Sequence, residues 1–216
     1  HIAVWAYNIP EWELLEFGCA LAGMVIVTVN PAFQRHELLY VLSPSKARAL
    51  FVVPSHRGNA MLATALDVQA ECHELHDIIS FDDWDDFIAG ADQFTGGLPP
   101  VAATDPVMLQ YTSGTTGFPK GALLHHRGLV NNGHHFVDRL GVDDGDVYIQ
   151  TMPLFHTGGS VVGVLGCVSK HLTQVLVREF EPGLVMELSQ SYKSNTMLGV
   201  PTMLVAILEH PDFADA

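Results

Sequence analysis

One segment of the chain concentrates residues that can hold a phosphate group. Residues 111–121 follow an apolar run and place four Ser or Thr residues, three glycines and one lysine within eleven positions. Glycines let backbone N–H groups approach an anion, hydroxyls add rotatable donors, and Lys120 supplies a positive charge. The segment departs from the Walker A pattern, because Pro119 precedes the lysine and Gly121 follows it. Its composition predicts a polyphosphate cradle, with a Ser/Thr/Gly-rich surface loop as the alternative.

The elements that must position this segment are short and alternate in type. Apolar runs of about five residues alternate with helical periodicity, which predicts parallel strands joined by helical crossovers and an α/β fold with predominantly parallel sheets flanked by helices. Strands are predicted at 2–7, 24–29, 49–53, 77–80, 107–112, 147–151, 173–177 and 196–200. Helices are predicted at 11–21, 35–42, 59–70, 127–140, 158–168, 182–192 and 201–210. Residues 81–105 are rich in Asp, Gly and Pro, which predicts a surface connector without an element.

Composition and charge exclude several classes of protein. A chain of 216 residues that is 48% hydrophobic can bury a core, so disorder is excluded. A formal net charge of −14 repels phosphate backbones, which argues against a nucleic-acid or anionic-membrane partner. The apolar run 158–168 is too short to cross a bilayer, and no transmembrane segment is predicted. Cys19, Cys72 and Cys167 form an odd, scattered set, which is typical of reduced thiols in a cytoplasm.

The sequence Tyr-Thr-Ser-Gly-Thr-Thr-Gly-Phe-Pro-Lys-Gly at 111–121 resembles the signature of the AMP-forming, adenylate-forming enzymes. Residues 153–159, Pro-Leu-Phe-His-Thr-Gly-Gly, resemble the next core motif of acyl-CoA synthetases, and residues 199–202 resemble the family's Val-Pro-Thr turn. Upstream, Asn8 with Glu11 and Trp12, and the Asn-Pro-Ala-Phe segment at 30–33, resemble the first helical units of fatty-acyl-CoA ligases. The resemblance covers essentially the whole chain and implies the large N-terminal domain of the adenylate-forming fold.

The resemblance implies a two-step acid–thiol ligase that uses ATP, Mg²⁺ and coenzyme A. A fatty carboxylate would attack the α-phosphate of ATP to give acyl-AMP and pyrophosphate, and the thiol of coenzyme A would then displace AMP. The positions that hold the β- and γ-phosphates in the family are Thr112, Ser113, Gly114, Thr115, Thr116, Gly117 and Lys120. Thr112 matches the family's Mg²⁺-contacting threonine, and Lys120 takes a catalytic role as counter-charge to the phosphates.

His156 is the second predicted catalytic residue. At the matching position of the family a histidine lies beside the acyl carboxylate and gates the acyl site, and Thr157, Gly158 and Gly159 follow as substrate-binding positions. Gly158, Gly159, Gly163 and Gly166 each weaken the predicted helix by about 1 kcal/mol relative to alanine. Close approach to an acyl chain or to another backbone, or tight helix–sheet packing alone, would compensate.

The resemblance also predicts the organisation of the chain. We expect a first α/β subdomain at 1–140 that includes the phosphate-binding loop, the start of a second at 141–216, and a C-terminal, lysine-bearing domain outside this chain. The chain is therefore expected to be a piece of a longer ligase and inactive by itself. Two alternatives remain: an amino-acid or aryl-acid adenylating enzyme, and a non-catalytic nucleotide-binding fragment. A homodimer is left open.

Overall fold

The computed structural model describes residues 1–91, 96–112 and 119–215. Packing divides the chain into two compact units. The first contains residues 1–7 and 11–127, and the second contains residues 8–10 and 128–216. Each unit is built on its own sheet, which places the two predicted functional segments on separate scaffolds.

In the first unit, the described residues form a six-stranded sheet in the order β4-β3-β1-β2-β5-β6. The first five strands are parallel, and β6 runs antiparallel to β5 at the edge. The strands are β1 (Ile2–Trp5), β2 (Ile26–Val29), β3 (Ala49–Val52), β4 (Asp77–Ser80), β5 (Pro106–Thr112) and β6 (Lys120–His125). Every residue of β2 and β3 is buried, as expected for central strands of a parallel sheet covered on both faces.

The helices of the first unit follow the predicted alternation. They are α1 (Pro10–Leu21), α2 (Arg35–Ser45), α3 (Met61–Gln69) and α4 (Trp84–Ala89). Trp12, Leu15 and Cys19 recur at helical spacing on α1 and are buried, so this stripe is the face that α1 turns to the core. The mostly parallel α/β architecture predicted from the sequence is confirmed.

Two local predictions in this unit are wrong, and one strand was not predicted. Helix α2 does not end before Pro44: it continues to Ser45 and ends at Lys46, which is left-handed with φ of 53°. Pro44 is tolerated because it lies in the last turn, where it removes only one intrahelical hydrogen bond. Residues 81–105 are not a pure connector, since a short 3₁₀ helix (Phe81–Asp83) and α4 begin the segment. Strand β6 (Lys120–His125) was not predicted: its first two residues belong to the predicted phosphate-binding segment, and residues 122–125 were assigned to no element.

Aromatic packing explains the unpredicted helix α4. The ring of Phe87 meets that of Phe51 edge-on with centroids 5.1 Å apart, and the Trp84 ring lies 6.2 Å from the same phenylalanine. These contacts stabilise a short helix in an acidic segment whose composition by itself favours a turn.

In the second unit, the described strands form a three-stranded parallel sheet in the order β8-β7-β9. Its elements are α5 (His126–Leu140), which begins in the first unit, then β7 (Val147–Gln150), a π-helix (Gly158–Leu165), α6 (Gly166–Ser169), β8 (Thr173–Leu176), α7 (Pro182–Tyr192), β9 (Thr196–Met197) and α8 (Pro201–Leu208). Ile149, Val177 and Val185 are buried together and form the core between the sheet and α7. Across the described ranges, no helix combines the length and apolar character needed to span a bilayer.

Candidate functional site

The end of the β5–β6 ladder brings two predicted site residues together in the first unit. Thr112, the last residue of β5, is paired with Lys120, the first residue of β6, and the preceding pair is Tyr111 with Gly121. Side chains of directly opposite residues in an antiparallel ladder lie on the same face, and successive pairs alternate between faces. The Thr112 hydroxyl and the Lys120 ammonium therefore share one face, and both residues are exposed.

The opposite face of this ladder end is packed against α2. The Tyr111 hydroxyl donates a hydrogen bond to the backbone carbonyl of Val41 at 3.2 Å. Gly121 makes room for the tyrosine ring, because a Cβ there would lie 3.0 Å from Leu109 Cδ1 and 3.4 Å from Tyr111 Cζ. Burial raises the pKa of the Tyr111 phenol, with the nearby Tyr40 contributing, so it stays a neutral donor. The packed face thus anchors the backbone that carries Thr112 and Lys120.

A second tyrosine fixes the return of the chain into β6. The Tyr40 hydroxyl donates to the backbone carbonyl of Pro119 at 3.1 Å, one residue before Lys120. Tyr40 lies in α2, and Tyr111 is hydrogen-bonded to α2 through Val41. This one helix therefore fixes Tyr111, which precedes Thr112, and Pro119, which precedes Lys120.

The described polar groups fit a polyphosphate with its Mg²⁺. The Thr112 hydroxyl donates to the backbone carbonyl of Lys120 at 3.3 Å, which leaves the oxygen lone pairs available as a metal ligand. In the described part of the chain, the Lys120 ammonium makes no ion pair. The other predicted phosphate-binding residues lie outside the described residues: Ser113, Gly114, Thr115, Thr116 and Gly117.

The second predicted segment is a tight turn after β7 in the second unit. The His156 amide donates to the carbonyl of Pro153 at 3.1 Å, and the His156 carbonyl accepts from the amides of Gly159 and Ser160 at 2.8 and 3.1 Å. The side chain of Leu154 is fully buried, whereas His156 is exposed. Backbone hydrogen bonds and the buried Leu154 side chain therefore hold the turn in place, and the imidazole is exposed to solvent.

One ring nitrogen of His156 already has a defined partner. The amide of Gly158 donates to Nδ1 at 3.0 Å, so Nδ1 acts as an acceptor. In the neutral imidazole the proton then lies on Nε2, which leaves one N–H donor for an anionic ligand. A carboxylate is a suitable partner for such a donor.

Packing accounts for the glycines that follow His156. A Cβ on Gly159 would lie 2.2 Å from the carbonyl oxygen of Pro153, one on Gly163 would lie 2.4 Å from Gln150 Oε1, and one on Gly166 would lie 2.8 Å from Val137 Cγ1. On α5, a Cβ on Gly133 would lie 2.7 Å from the carbonyl oxygen of Val161. Of the alternatives left open by the sequence, close approach to protein neighbours therefore explains Gly159, Gly163 and Gly166.

The predicted helix at 158–168 is not a regular α-helix. Residues Gly158–Leu165 form a π-helix, and α6 covers Gly166–Ser169. The wider π turn is uncommon and occurs often at functional sites. Gly163 within it leaves room for the fully buried Gln150 amide, whose Nε2 donates to the carbonyl of Met152 at 3.3 Å.

Sequence reasoning missed the residues that hold these two segments. Tyr111 is the first residue of the segment that resembles the adenylate-forming signature, but no role was assigned to it, and Tyr40, in the middle of α2, carries no motif signal. Asn8 and Gln150 are buried polar residues, and each follows or ends an apolar strand. A polar side chain at the carboxyl end of a buried strand was the available signal, because such side chains need a partner.

The parallel sheets and the packed glycine-rich turn place this chain in the fold of adenylate-forming enzymes. The ATP-bound structure of MatB from Rhodopseudomonas palustris is similar with a TM-score of 0.84 at 26% identity, over 97% of this chain and 41% of that chain. The N-terminal domain of FACL13 from Mycobacterium tuberculosis superimposes with a TM-score of 0.85 at 22% identity, over 99% of this chain and 52% of that chain, and shows the shared fold.

The sequence profile of the AMP-binding enzyme family matches residues 1–216, and the chain belongs to this family. YngI of Bacillus subtilis, named as an acyl-CoA synthetase, is 35% identical over 99% of this chain and 44% of its own length. The human mitochondrial medium-chain acyl-CoA ligase ACSF2 is 30% identical over 99% of this chain and 40% of its own length. The chain thus spans less than half the length of these relatives.

Proposed function

We propose that this chain carries the phosphate-binding and acid-contacting segments of an AMP-forming acyl-CoA ligase. The reaction joins a carboxylate oxygen to the α-phosphorus of ATP as the bond to pyrophosphate breaks, and the thiol sulfur of coenzyme A then bonds to the acyl carbon as AMP leaves. The observation that carries the proposal is the shared exposed face of Thr112 and Lys120 at the end of an anchored ladder. Membership of the AMP-binding enzyme family supports it.

Lys120 and Thr112 would act on the departing pyrophosphate. Negative charge builds up on that group as the bond to the α-phosphate breaks, so an adjacent ammonium stabilises the transition state more than the ground state. Bound Mg²⁺ would neutralise phosphate charge, with the Thr112 hydroxyl oxygen as its protein ligand in this part of the chain. Ser113, Gly114, Thr115, Thr116 and Gly117 complete the proposed phosphate-binding loop.

His156 would orient the acid. Because Nδ1 accepts from Gly158, Nε2 is the proton-bearing nitrogen and can donate to a carboxylate oxygen of the substrate. Thr157, Gly158 and Gly159 follow it in the proposed acid-contacting turn. Holding the carboxylate in one orientation raises the rate of attack by reducing the entropy lost on the way to the transition state.

A fatty acid is the proposed substrate class. The names of the relatives support a carboxylic acid that is converted to its coenzyme A thioester, and one of them names a medium-chain acid. The turn and the π-helix around His156 offer apolar and small residues and no exposed charged side chain to recognise an amino acid.

The decisive experiment measures pyrophosphate release by the full-length protein that contains this chain. We expect ATP-dependent release with fatty acids and a coenzyme A thioester as the product. A panel of fatty, aryl and amino acids separates the proposed class from the adenylating alternatives. Release with amino acids alone would contradict the fatty-acid proposal, and nucleotide binding without release on any acid would support a non-catalytic module.

We also propose that the protein is located in the cytoplasm. The three cysteines are buried, and burial raises the pKa of the Cys19 thiol to about 11 and also raises that of Cys72. Cysteines that form no disulfide among the described residues are typical of proteins kept in a reducing compartment.

A further inference from the structure

Asn8 is a buried polar residue in the upstream segment that resembles fatty-acyl-CoA ligases, and the resemblance assigned no role to it. It follows β1 by three positions and precedes Pro10, the first residue of α1, and it is 6% exposed. It belongs to the second unit with residues 9 and 10, so its contacts there are contacts within one compact body.

The Asn8 amide joins the ends of two parallel strands. Its Oδ1 accepts a hydrogen bond from the Leu154 amide at 2.8 Å, and its Nδ2 donates to the carbonyls of Met152 and Val177 at 3.1 and 3.0 Å. Met152 and Leu154 follow β7, and Val177 follows β8. One side chain therefore satisfies three backbone groups at the carboxyl ends of neighbouring strands.

Only a carboxamide has the donors and the acceptor that this position needs. The two carbonyls require N–H donors, and the Leu154 amide requires an acceptor, so the amide orientation is determined by its partners. Aspartate would set carboxylate oxygens against two carbonyl oxygens. An apolar residue would remove the Asn8 partner of the Leu154 amide and of the Val177 carbonyl in a buried place, which is costly, and it would leave the Met152 carbonyl with Gln150.

The segment held by Asn8 is the one that presents His156. The Leu154 amide is bonded to Asn8, and the turn that follows closes between the Pro153 carbonyl and the His156 amide. Gln150 Nε2 also donates to the Met152 carbonyl, at 3.3 Å. The Met152–Leu154 backbone is thus fixed by two buried amide side chains before the chain reaches the imidazole.

We propose that Asn8 is a positioning residue for the acid-activating step, acting through the Met152–Leu154 backbone on the placement of His156. The inference rests on the proposed function, because it assigns the consequence of misplacement to binding and activation of the carboxylic acid. Loss of the Asn8 amide frees the start of the turn, and a displacement of the order of 1 Å at a substrate-contacting group lowers activity about 100-fold.

The test uses the full-length protein with the substitutions Asn8→Ala and Asn8→Asp, and Asn195→Ala as the matched control. Asn195 Oδ1 accepts from the Val147 amide at 3.2 Å, so it is an asparagine that holds the opposite end of the same strand. We expect both Asn8 variants to raise KM for the acid or to lower kcat by about 10- to 100-fold, with KM for ATP changed less than about 2-fold. The control should leave both constants unchanged.

A double-substitution cycle separates positioning from a general loss of structure. If Asn8 acts through His156, then Asn8→Ala should have little further effect on the acid step in a His156→Ala background. An undiminished effect of Asn8→Ala in that background would overturn the proposal, as would unchanged kinetics in both Asn8 variants.

Hydrogen exchange supplies a readout that does not depend on activity. In both Asn8 variants the amides of Met152 and of residues 154–156 should exchange faster, and in Asn195→Ala they should not. Where Asn8→Ala is too unstable to study, Asn8→Asp, which keeps the acceptor for the Leu154 amide, carries the same comparison. Unchanged exchange would overturn the structural part of the proposal, whereas a wild-type protein that releases no pyrophosphate with any acid would instead overturn the proposed function.

Discussion

The two candidate segments are held in different ways, although each lies at the end of a strand. At the β5–β6 ladder, two tyrosines fix the backbone from one face and leave a hydroxyl and a long, flexible lysine on the other face. At the His156 turn, backbone bonds, a π-helix and buried amides fix the segment up to the side chain that is presented.

This difference fits the groups that each segment is proposed to contact. A polyphosphate carries diffuse charge and moves as pyrophosphate departs, so rotatable donors on an anchored backbone can follow it. A carboxylate must meet the α-phosphorus in one orientation, so its partner has to be placed accurately. We therefore expect the first segment to be most sensitive to loss of its positive charge. We expect the second to be most sensitive to substitutions that crowd its backbone.

Removing the charge should give the largest effect. Lys120→Ala in the full-length protein is expected to lower kcat for pyrophosphate release by about 100- to 1,000-fold, because the positive charge proposed to stabilise the leaving group is lost. Steady-state kinetics measure this, with Lys193→Asn as the control. Lys193 is also exposed and lies at the end of α7 with φ of 51°, where asparagine is tolerated. Equal losses in the two variants would show that only net charge matters.

Adding a Cβ where the backbone is closely packed should destabilise the second segment. Gly159→Ala would put a Cβ 2.2 Å from the carbonyl oxygen of Pro153, and we expect the free energy of unfolding to fall by about 3 kcal/mol. Denaturant titration measures the change. Gly18→Ala is the control, because Gly18 lies in a helix with no neighbour within 4 Å of an added Cβ, and it should stabilise the chain by about 0.5–1 kcal/mol. A neutral Gly159→Ala would mean that the turn is not tightly held.

Glu16 differs from Asn8, because one of its buried side-chain oxygens has no hydrogen-bond partner among the described residues. This oxygen is Oε2, and Glu16 is buried on α1. Burial, with a smaller contribution from Glu13, raises the pKa of Glu16 well above its ordinary value. The folded state therefore holds a proton that the unfolded state releases, so stability is highest below the ordinary carboxyl pKa and falls as the pH rises toward the folded-state pKa.

Glu16→Gln should remove this pH dependence. The amide is neutral at every pH, so the free energy of unfolding at pH 8 is expected to rise by about 1 kcal/mol, with little change at pH 4. Thermal or denaturant unfolding across that range measures it. A parallel pH profile for wild type and variant would contradict the assignment of Glu16 as a buried neutral acid.

The smallest effect is expected at the anchor of the first segment. Tyr111→Phe keeps the ring over Gly121 and removes the hydrogen bond to Val41, which should cost about 1 kcal/mol of stability. Because the anchor acts on the backbone, KM for ATP should rise modestly and KM for the acid should not change. A selective change in KM for the acid would argue against the separation of the two roles.

Local patterns predicted most of the elements but not their irregular parts. The helices were predicted from the periodicity of their apolar residues. The buried strands were predicted from short β-branched runs such as Ile26–Val29, which favour a strand in the interior of a sheet. The π-helix, the extension of α2 through Pro44, and α4 depend on contacts with distant residues, as the packing of Phe87 on Phe51 illustrates. Propensity cannot anticipate these, because tertiary packing overrides it.

The same division holds at the candidate site. The residue types at 112–120 and 153–159, and the family to which they belong, are encoded locally and could be identified without coordinates. Only the folded chain brings Asn8 to Leu154 across 146 positions of sequence, and only the ladder register sets Thr112 and Lys120 on the face opposite Tyr111. Chemistry is carried by short stretches of sequence, whereas placement depends on hydrogen bonds and packing between residues that are far apart in the chain.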